Sequence, residues 1–382
     1  MICAFLPGPR SAARRVAAAA PAAWRRGGSL AVLVAAAALA ATVAVAAAPA
    51  LPPTGATPVA AAGSAPSAAP PLRYGEGLLF RLDRPGVAPS WVFGTLHSGD
   101  PRVTALPVEV MRAFDACRVL APEIQLGSAD LEERFATAQL DDTRRLAEVF
   151  DADTLARIRL ALGASAPTGE AFARLKPWAV LLQLAEAPPA TGQAVDTAPP
   201  EILDQLLVRM ARQRRMSVIV LELPDEQIAS FDAIPVASQA AVVRDVLDRR
   251  GTLVIEHEKT VGAWLDRDLA ALRALGAGAG RRDPALARHY AEFTRHLVDN
   301  RSAQMAHRLF LPLRSGRVFV AVGAMHLPGD QGLLALLRAQ GYAIRRVWRR
   351  RLCPGAGAHG HRRPPARRRA DNARGVRHGP GR

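Results

Sequence analysis

A chain of 382 residues, 49% of them hydrophobic, holds enough apolar material for a sizeable core, in one large domain or two small ones if domains run to roughly 100 to 200 residues. The formal charge of +16 divides unevenly: residues 345–382 carry thirteen Arg against one Asp, residues 1–50 carry five Arg and no acid, and the stretch between them nets −1. A near-neutral body excludes an electrostatic case for a nucleic-acid partner, and Cys3, Cys117 and Cys353 are too scattered for a disulfide framework.

Arg14, Arg15, Arg25 and Arg26 precede an uncharged run from Ser29 to Ala50, in which Ala46 and Ala48 supply small residues at an A-x-A site. Basic, apolar and small residues in that order are the pattern of an export signal. Residues 1–50 are therefore expected to be a signal peptide or, if uncleaved, an N-terminal anchor crossing the membrane through residues 29–50. Either way the body is expected to be exported, periplasmic or anchored to the inner membrane facing the periplasm. Residues 51–73, rich in Ala and Pro and uncharged before Arg73, read as a linker ahead of a domain spanning 74–350.

Within that domain, Leu78 to Asp83 and Trp91 to Phe93 flank Pro85-Gly86 and predict a β-hairpin whose second strand runs into Gly94-Thr95-Leu96-His97. Pro107 begins a helix with Val110, Phe114 and Cys117 at helical spacing, and Cys117 suits a small core position. Arg118 to Ile124 reads as a strand with Glu123 at its end. Leu131 to Ala187 is helical in pattern, broken at Lys176-Pro177-Trp178. After the Pro-rich segment Pro188 to Pro200, a helix from Glu201 to Arg214 leads into an apolar strand, Val218 to Leu223. Helices continue to about Leu313, the longest aligning Leu286, Phe293, Leu297, Met305 and Leu309, with Arg301 interrupting the apolar positions.

Val318 to Val322 is a run of five apolar residues, the signature of a strand buried on both faces, and it ends at Gly323-Ala324-Met325-His326. A last helix, Gly332 to Gln340, is closed by Gly341 and followed by a strand, Tyr342 to Trp348. Residues 351–382 mix Gly, Pro and Arg without periodicity and are expected to form a disordered basic tail, with no aromatic ring for base stacking. The order of elements predicts an α/β fold: a central, mostly buried sheet bearing two Gly-x-x-His strand-end turns, with a large helical insertion over about residues 130 to 310. The first and last strands must be neighbours for the two turns to meet.

Each of those motifs combines an apolar strand, a glycine expected to turn the backbone sharply, and a histidine just past the strand end, where ligands of open α/β sheets bind. Imidazole is both the commonest metal ligand and the commonest general base near neutral pH, so His97 and His326 are candidate ligands of one ion. A divalent cation also wants a carboxylate, for which Glu123 stands first and Glu222 second. Other signals fail on spacing: His257-Glu258 lacks a second histidine at Val261, and His289 and His296 are two helical turns apart.

The same residues carry a family resemblance over about residues 76 to 348. "WVFGTLHSGD" from Trp91 with Glu123 downstream, "KPWAVLLQL" from Lys176, Asp204 eighteen residues before Glu222 in "VIVLELPDEQI", Arg301 four before Met305, and "VFVAVGAMHLPGDQGLLALLRAQGY" resemble the motifs of the TraB/GumN family, which is related to the Tiki proteins. Ser302 stands where that family has Asn after Arg301, and Ile202 where it has Gly before Asp204. The resemblance implies a metal-dependent hydrolase, a peptidase, with His97, His326 and Glu123 binding a divalent ion (Mn, Co or Zn). Glu222 or Glu123 would be the base, and Arg301 an electrostatic partner for an anionic substrate group or transition state. Similar folds include esterases that use His and Glu without metal. The alternatives are a non-catalytic binder of peptides or small ligands and an accessory protein in exopolysaccharide production.

Overall fold

The computed structural model describes residues 71–348 except 125–128, 187–199, 277 and 279–282. The expected leader at 1–50, almost all of the linker and the basic tail at 351–382 lie outside the described residues. Among the described residues no helix is long and apolar enough to cross a membrane.

Six strands form the sheet: β1 (Leu79–Arg84), β2 (Val87–Thr95), β3 (Val119–Pro122), β4 (Ser217–Val218), β5 (Val318–Gly323) and β6 (Ala343–Trp348). Their order is β4-β3-β5-β2-β1-β6. Pro85 and Gly86 join β1 to β2 with Arg84 opposite Val87, and Gly86 adopts φ 74°, which a residue without Cβ reaches at no steric cost. β5 lies between β3 and β2 and runs parallel to both, so its five apolar residues are buried on both faces as their continuous run requires. β1 pairs antiparallel with β2 and with β6, which brings both ends of the domain into one sheet. The predicted closing helix is present at Leu333–Ala339, with Gly341 at φ 93° beyond it. Cys117 is a buried core residue whose thiol burial pushes up to about 12.

Three expectations need correction. The apolar stretch Val218 to Leu223 is not a six-residue strand: its ladder with β3 ends at Val218. As the sheet's edge it has β3 as its one neighbour, to which Ile219 and Leu221 still donate backbone N–H bonds at Leu120 O and Pro122 O, and Pro224 then opens a helix. The middle of the chain is also not one insertion. Residues such as Phe135, Trp178, Val243 and Phe293 form a helical core of their own, whereas Leu203, Leu207, Trp264 and Met305 pack against the sheet. Finally, the long helix through Arg301 is interrupted. Its α-helical parts, Pro284–Thr294 and Asn300–Arg308, are joined by a π-helical turn at Arg295–Asp299. Phe293 and Leu297 belong to the helical core and Met305 and Leu309 to the sheet core, so the wider turn resets the buried face where the helix passes between them.

Candidate functional site

Because β2, β5, β3 and β4 are mutually parallel, their carboxyl ends share one edge of the sheet. His97 follows β2 by two residues, His326 closes a 3₁₀ turn (Ala324–His326) after β5, Glu123 follows β3, and Glu222 lies beyond β4. All four, with Arg301 from the interrupted helix, are buried or nearly so.

The motif glycines act differently from expectation. Neither takes a positive φ: Gly94 remains inside β2, and Gly323 has φ −52° and ψ 135°. What they supply is the absence of a Cβ. At Gly94 a Cβ would stand 2.8 Å from Leu327 Cδ1 and 3.1 Å from Ala324 Cα, and at Gly323 3.1 Å from Glu123 Oε1. Gly94→Ala is therefore expected to cost about 1–3 kcal/mol by prising the two histidine-bearing segments apart, as measured by urea unfolding. An unchanged midpoint would mean that this close approach has no energetic weight.

Glu123 is the hub. Its Oε1 accepts the Gly323 N–H and lies 3.5 Å from His326 Nε2, while Oε2 lies 3.8 Å from His97 Nε2 and accepts a 3.0 Å hydrogen bond from Arg301 Nη2. Arg301 also donates from Nε (2.7 Å) and Nη2 (2.5 Å) to the two oxygens of Glu222, and from Nη1 to Leu297 O at 3.1 Å. All three guanidinium nitrogens are thus engaged by protein acceptors. Both Glu222 oxygens are likewise held by Arg301, and the Glu222 backbone N–H donates to Glu123 O at 2.7 Å.

Sequence reasoning from strand ends passed over three residues that hold the imidazoles. Asp204 Oδ2 stands 2.8 Å from His97 Nδ1, in ion-pair contact off the line of a straight hydrogen bond, and Asp204 Oδ1 accepts from Thr95 Oγ1 at 2.9 Å. The Leu203 N–H donates to Ser98 O, which ties the start of the Leu203–Gln213 helix to the His97 loop. Ser302 donates its hydroxyl to Val298 O at 2.7 Å, leaving its oxygen to accept from His326 Nδ1 at 3.0 Å; Val298 O lies 3.2 Å from the same nitrogen. These partners put the His326 proton on Nδ1 and leave a lone pair on Nε2. Asp204 and Ser302 were marked only through the family resemblance, the first by its spacing from Glu222 and the second as the residue standing where the family has Asn after Arg301.

Burial disfavours charge on both rings, with opposite results. For His97 the carboxylates of Asp204 and Glu123 outweigh burial and raise it to about 10. For His326 burial, helped by Arg301, wins and lowers it to about 4. Burial works against ionised Glu123, but the neighbouring imidazoles and Arg301 hold its carboxyl well below the usual range; burial raises Glu222. His97 therefore contributes stability that is full below about 6.5 and is lost as pH rises through about 10. The His326 contribution is present above 6.5 and lost as pH falls from there through about 4. In chelator-treated protein at pH 7, imidazole ¹⁵N spectra are expected to show a charged His97 beside a neutral His326; two rings titrating together near 6.5 would contradict this arrangement.

The donor set suits a divalent ion in kind. The lone pair of His326 Nε2 faces an ionised carboxylate oxygen at 3.5 Å, an arrangement that an intervening cation relieves. Each ring has its other nitrogen beside a carboxylate, or beside a hydroxyl and a carbonyl, the supports that orient metal-bound histidines. As folded, no group of three or more His, Cys, Asp or Glu side chains among the described residues stands in a metal-holding arrangement, so the donors form pairs around Glu123. A family model described as the TraB/PrgY/gumN family matches residues 78–346. Comparison with curated proteins and with solved structures finds no significant match.

Proposed function

Since the chain belongs to the TraB/PrgY/gumN family, we propose that it is an exported hydrolase acting on peptides, in which His97, His326 and Glu123 hold a divalent ion (Mn, Co or Zn). The observation that carries this reading is the convergence of two imidazole Nε2 atoms on one ionised, buried carboxylate, at 3.8 and 3.5 Å. Export rests on the leader pattern of residues 1–50.

When bound, the ion would lower the pKa of a water molecule and polarise a peptide carbonyl. The chain's own groups do the rest. Asp204 holds His97, while Ser302 and Val298 hold His326, so both rings present Nε2 to the same side. Arg301 keeps Glu123 ionised at neutral pH and Glu222 keeps Arg301 in place. Both oxygens of Glu222 are held by Arg301 and those of Glu123 by the Gly323 N–H and Arg301, but only Glu123 also faces both imidazoles, so of the two it is the better placed to accept the proton of a water held between them. Arg301 serves this site as an internal counter-ion rather than as a contact for substrate.

The test is hydrolysis of a mixed peptide library by chelated protein resupplied with Mn²⁺, Co²⁺ or Zn²⁺. Cleavage is expected to return with metal and to vanish in His97→Ala. Because charged His97 must lose a proton to bind an ion, uptake at pH 7 is expected to release about one proton per ion, read by calorimetry in buffers of different ionisation enthalpy. An uncut library together with no heat of metal binding would sink the reading, and peptide binding without cleavage would leave a non-catalytic binder.

A further inference from the structure

Beside His97 lies a cavity of about 110 Å³ that the hydrolytic groups do not use. Its apolar walls are Leu96 from the His97 loop, Leu181 and Ala185 from the helix Pro177–Glu186, Val246 from the helix Val236–Asp248, and Leu253 at the start of the helix Leu253–Leu265. His97 itself forms part of the lining, so whatever fills the cavity touches a member of the site.

The polar part of the wall, besides His97, is Glu256, His257, Thr260 and Arg249; Thr260 donates its hydroxyl to Glu256 O at 2.9 Å, and Arg249 is already paired. It donates to Asp245 Oδ2 at 2.8 Å, to Glu256 Oε1 at 2.8 Å and to the Tyr290 hydroxyl at 3.0 Å. Because Arg249 and Glu256 neutralise each other, neither is free to pair with a charged occupant, and a polar one would exchange water for a wall that is mostly hydrocarbon. An apolar cavity of roughly 150 Å³ takes up benzene, so 110 Å³ suits a branched aliphatic or thioether side chain and is too small for an indole.

We propose that this cavity is the specificity pocket of the site, receiving a Leu, Ile, Val or Met side chain of a peptide beside the bond to be cut. The inference rests on the peptidase reading above. It also follows from where the pocket is built: Leu181, Val246 and Leu253 belong to the helical core while Leu96 and His97 come from the loop after β2, so the helices determine which peptide fits beside the strand ends that supply the chemistry.

Two measurements test it. Cleavage of a positional peptide library is expected to favour aliphatic over small polar or acidic residues at one subsite by on the order of tenfold to a hundredfold in kcat/KM. Ala185 is exposed at the end of its helix, so Ala185→Phe can fill the pocket without entering the core, and it is expected to erase that preference. Leu253→Ala is expected to extend the preference to larger side chains. A flat profile, or a preference for charged residues that Ala185→Phe leaves intact, overturns the proposal. If no peptide is cut, hydrolysis fails but the pocket is still judged by N-acetyl-leucinamide. Displacement of the His97 imidazole signals that Ala185→Phe abolishes supports the pocket, and unmoved signals overturn it.

Discussion

Replacing Arg301 with Met is expected to lower the unfolding free energy by about 3–5 kcal/mol, the usual cost of removing one partner from a buried ion pair. The size follows from what remains. Glu222 is 1% exposed and Glu123 4% exposed, and without the guanidinium they are left with weaker neighbours, His97 3.8 Å from Glu123 and Arg308, whose main partner is Glu226, near Glu222. The pH dependence carries the sign. In the native chain Glu123 is held well below its ordinary value, so its stabilisation is present above the carboxylate range and is lost as pH falls through it. In the variant Glu222, already raised by burial, is pushed further up and Glu123 loses one of the neighbours that lower it, so the variant's folded state binds protons more readily than the native one and its deficit shrinks as pH falls. The gap between the two proteins is therefore expected to narrow toward pH 4, and to change little with salt because the groups are buried. Adding Glu222→Gln to Arg301→Met is expected to recover part of the loss. A gap that is constant in pH would mean that Arg301 contributes packing alone.

Glu123→Gln separates chemistry from folding. Gln keeps an oxygen to accept the Gly323 N–H, and Arg301 keeps both bonds to Glu222, so the unfolding midpoint is expected to shift by less than about 2 kcal/mol, within the range of ordinary substitutions. The negative charge between the two imidazoles is nevertheless gone. A fall of about 10²- to 10⁴-fold in kcat/KM on peptides is expected, the scale of a lost proton acceptor. His97 is expected to drop from about 10, since one of its two carboxylates is removed, while Asp204 still holds it charged relative to a free imidazole. Hydrolysis at the native rate with intact stability would take Glu123 out of the mechanism and leave it a structural hub.

Much of this site was legible in the chain because strand ends have strong local signals. The apolar run Val318 to Val322 could only be a buried strand, and the hydrophobic segments before Gly94 and Glu123 were nearly as clear, so His97, His326 and Glu123 could be placed at strand ends before any pairing was known. The role given to the motif glycines was wrong in kind. A sequence shows that a glycine is present but not whether it supplies a positive φ or merely the lack of a Cβ, and at Gly94 and Gly323 the neighbours that decide come from Ala324, Leu327 and Glu123. Arg301 stood out as a charge in an apolar stripe, but its periodicity suggested one continuous helix. The π-helical turn at Arg295–Asp299 answers to the junction of two cores, which no local pattern encodes.

The sequence by itself determined every strand except the extent of β4, the helical character of the middle and the candidate histidines and glutamates, because periodicity and chain order act over a few neighbouring residues. Only the tertiary structure decided how those groups share charge. Asp204 meets His97 across 107 positions of chain and Arg301 meets Glu123 across 178. Those approaches, together with burial, make one imidazole a cation and the other a neutral base. Protonation is set by the field of whatever lies within a few ångströms, and that is fixed by the order in which β3, β5 and β2 stand side by side.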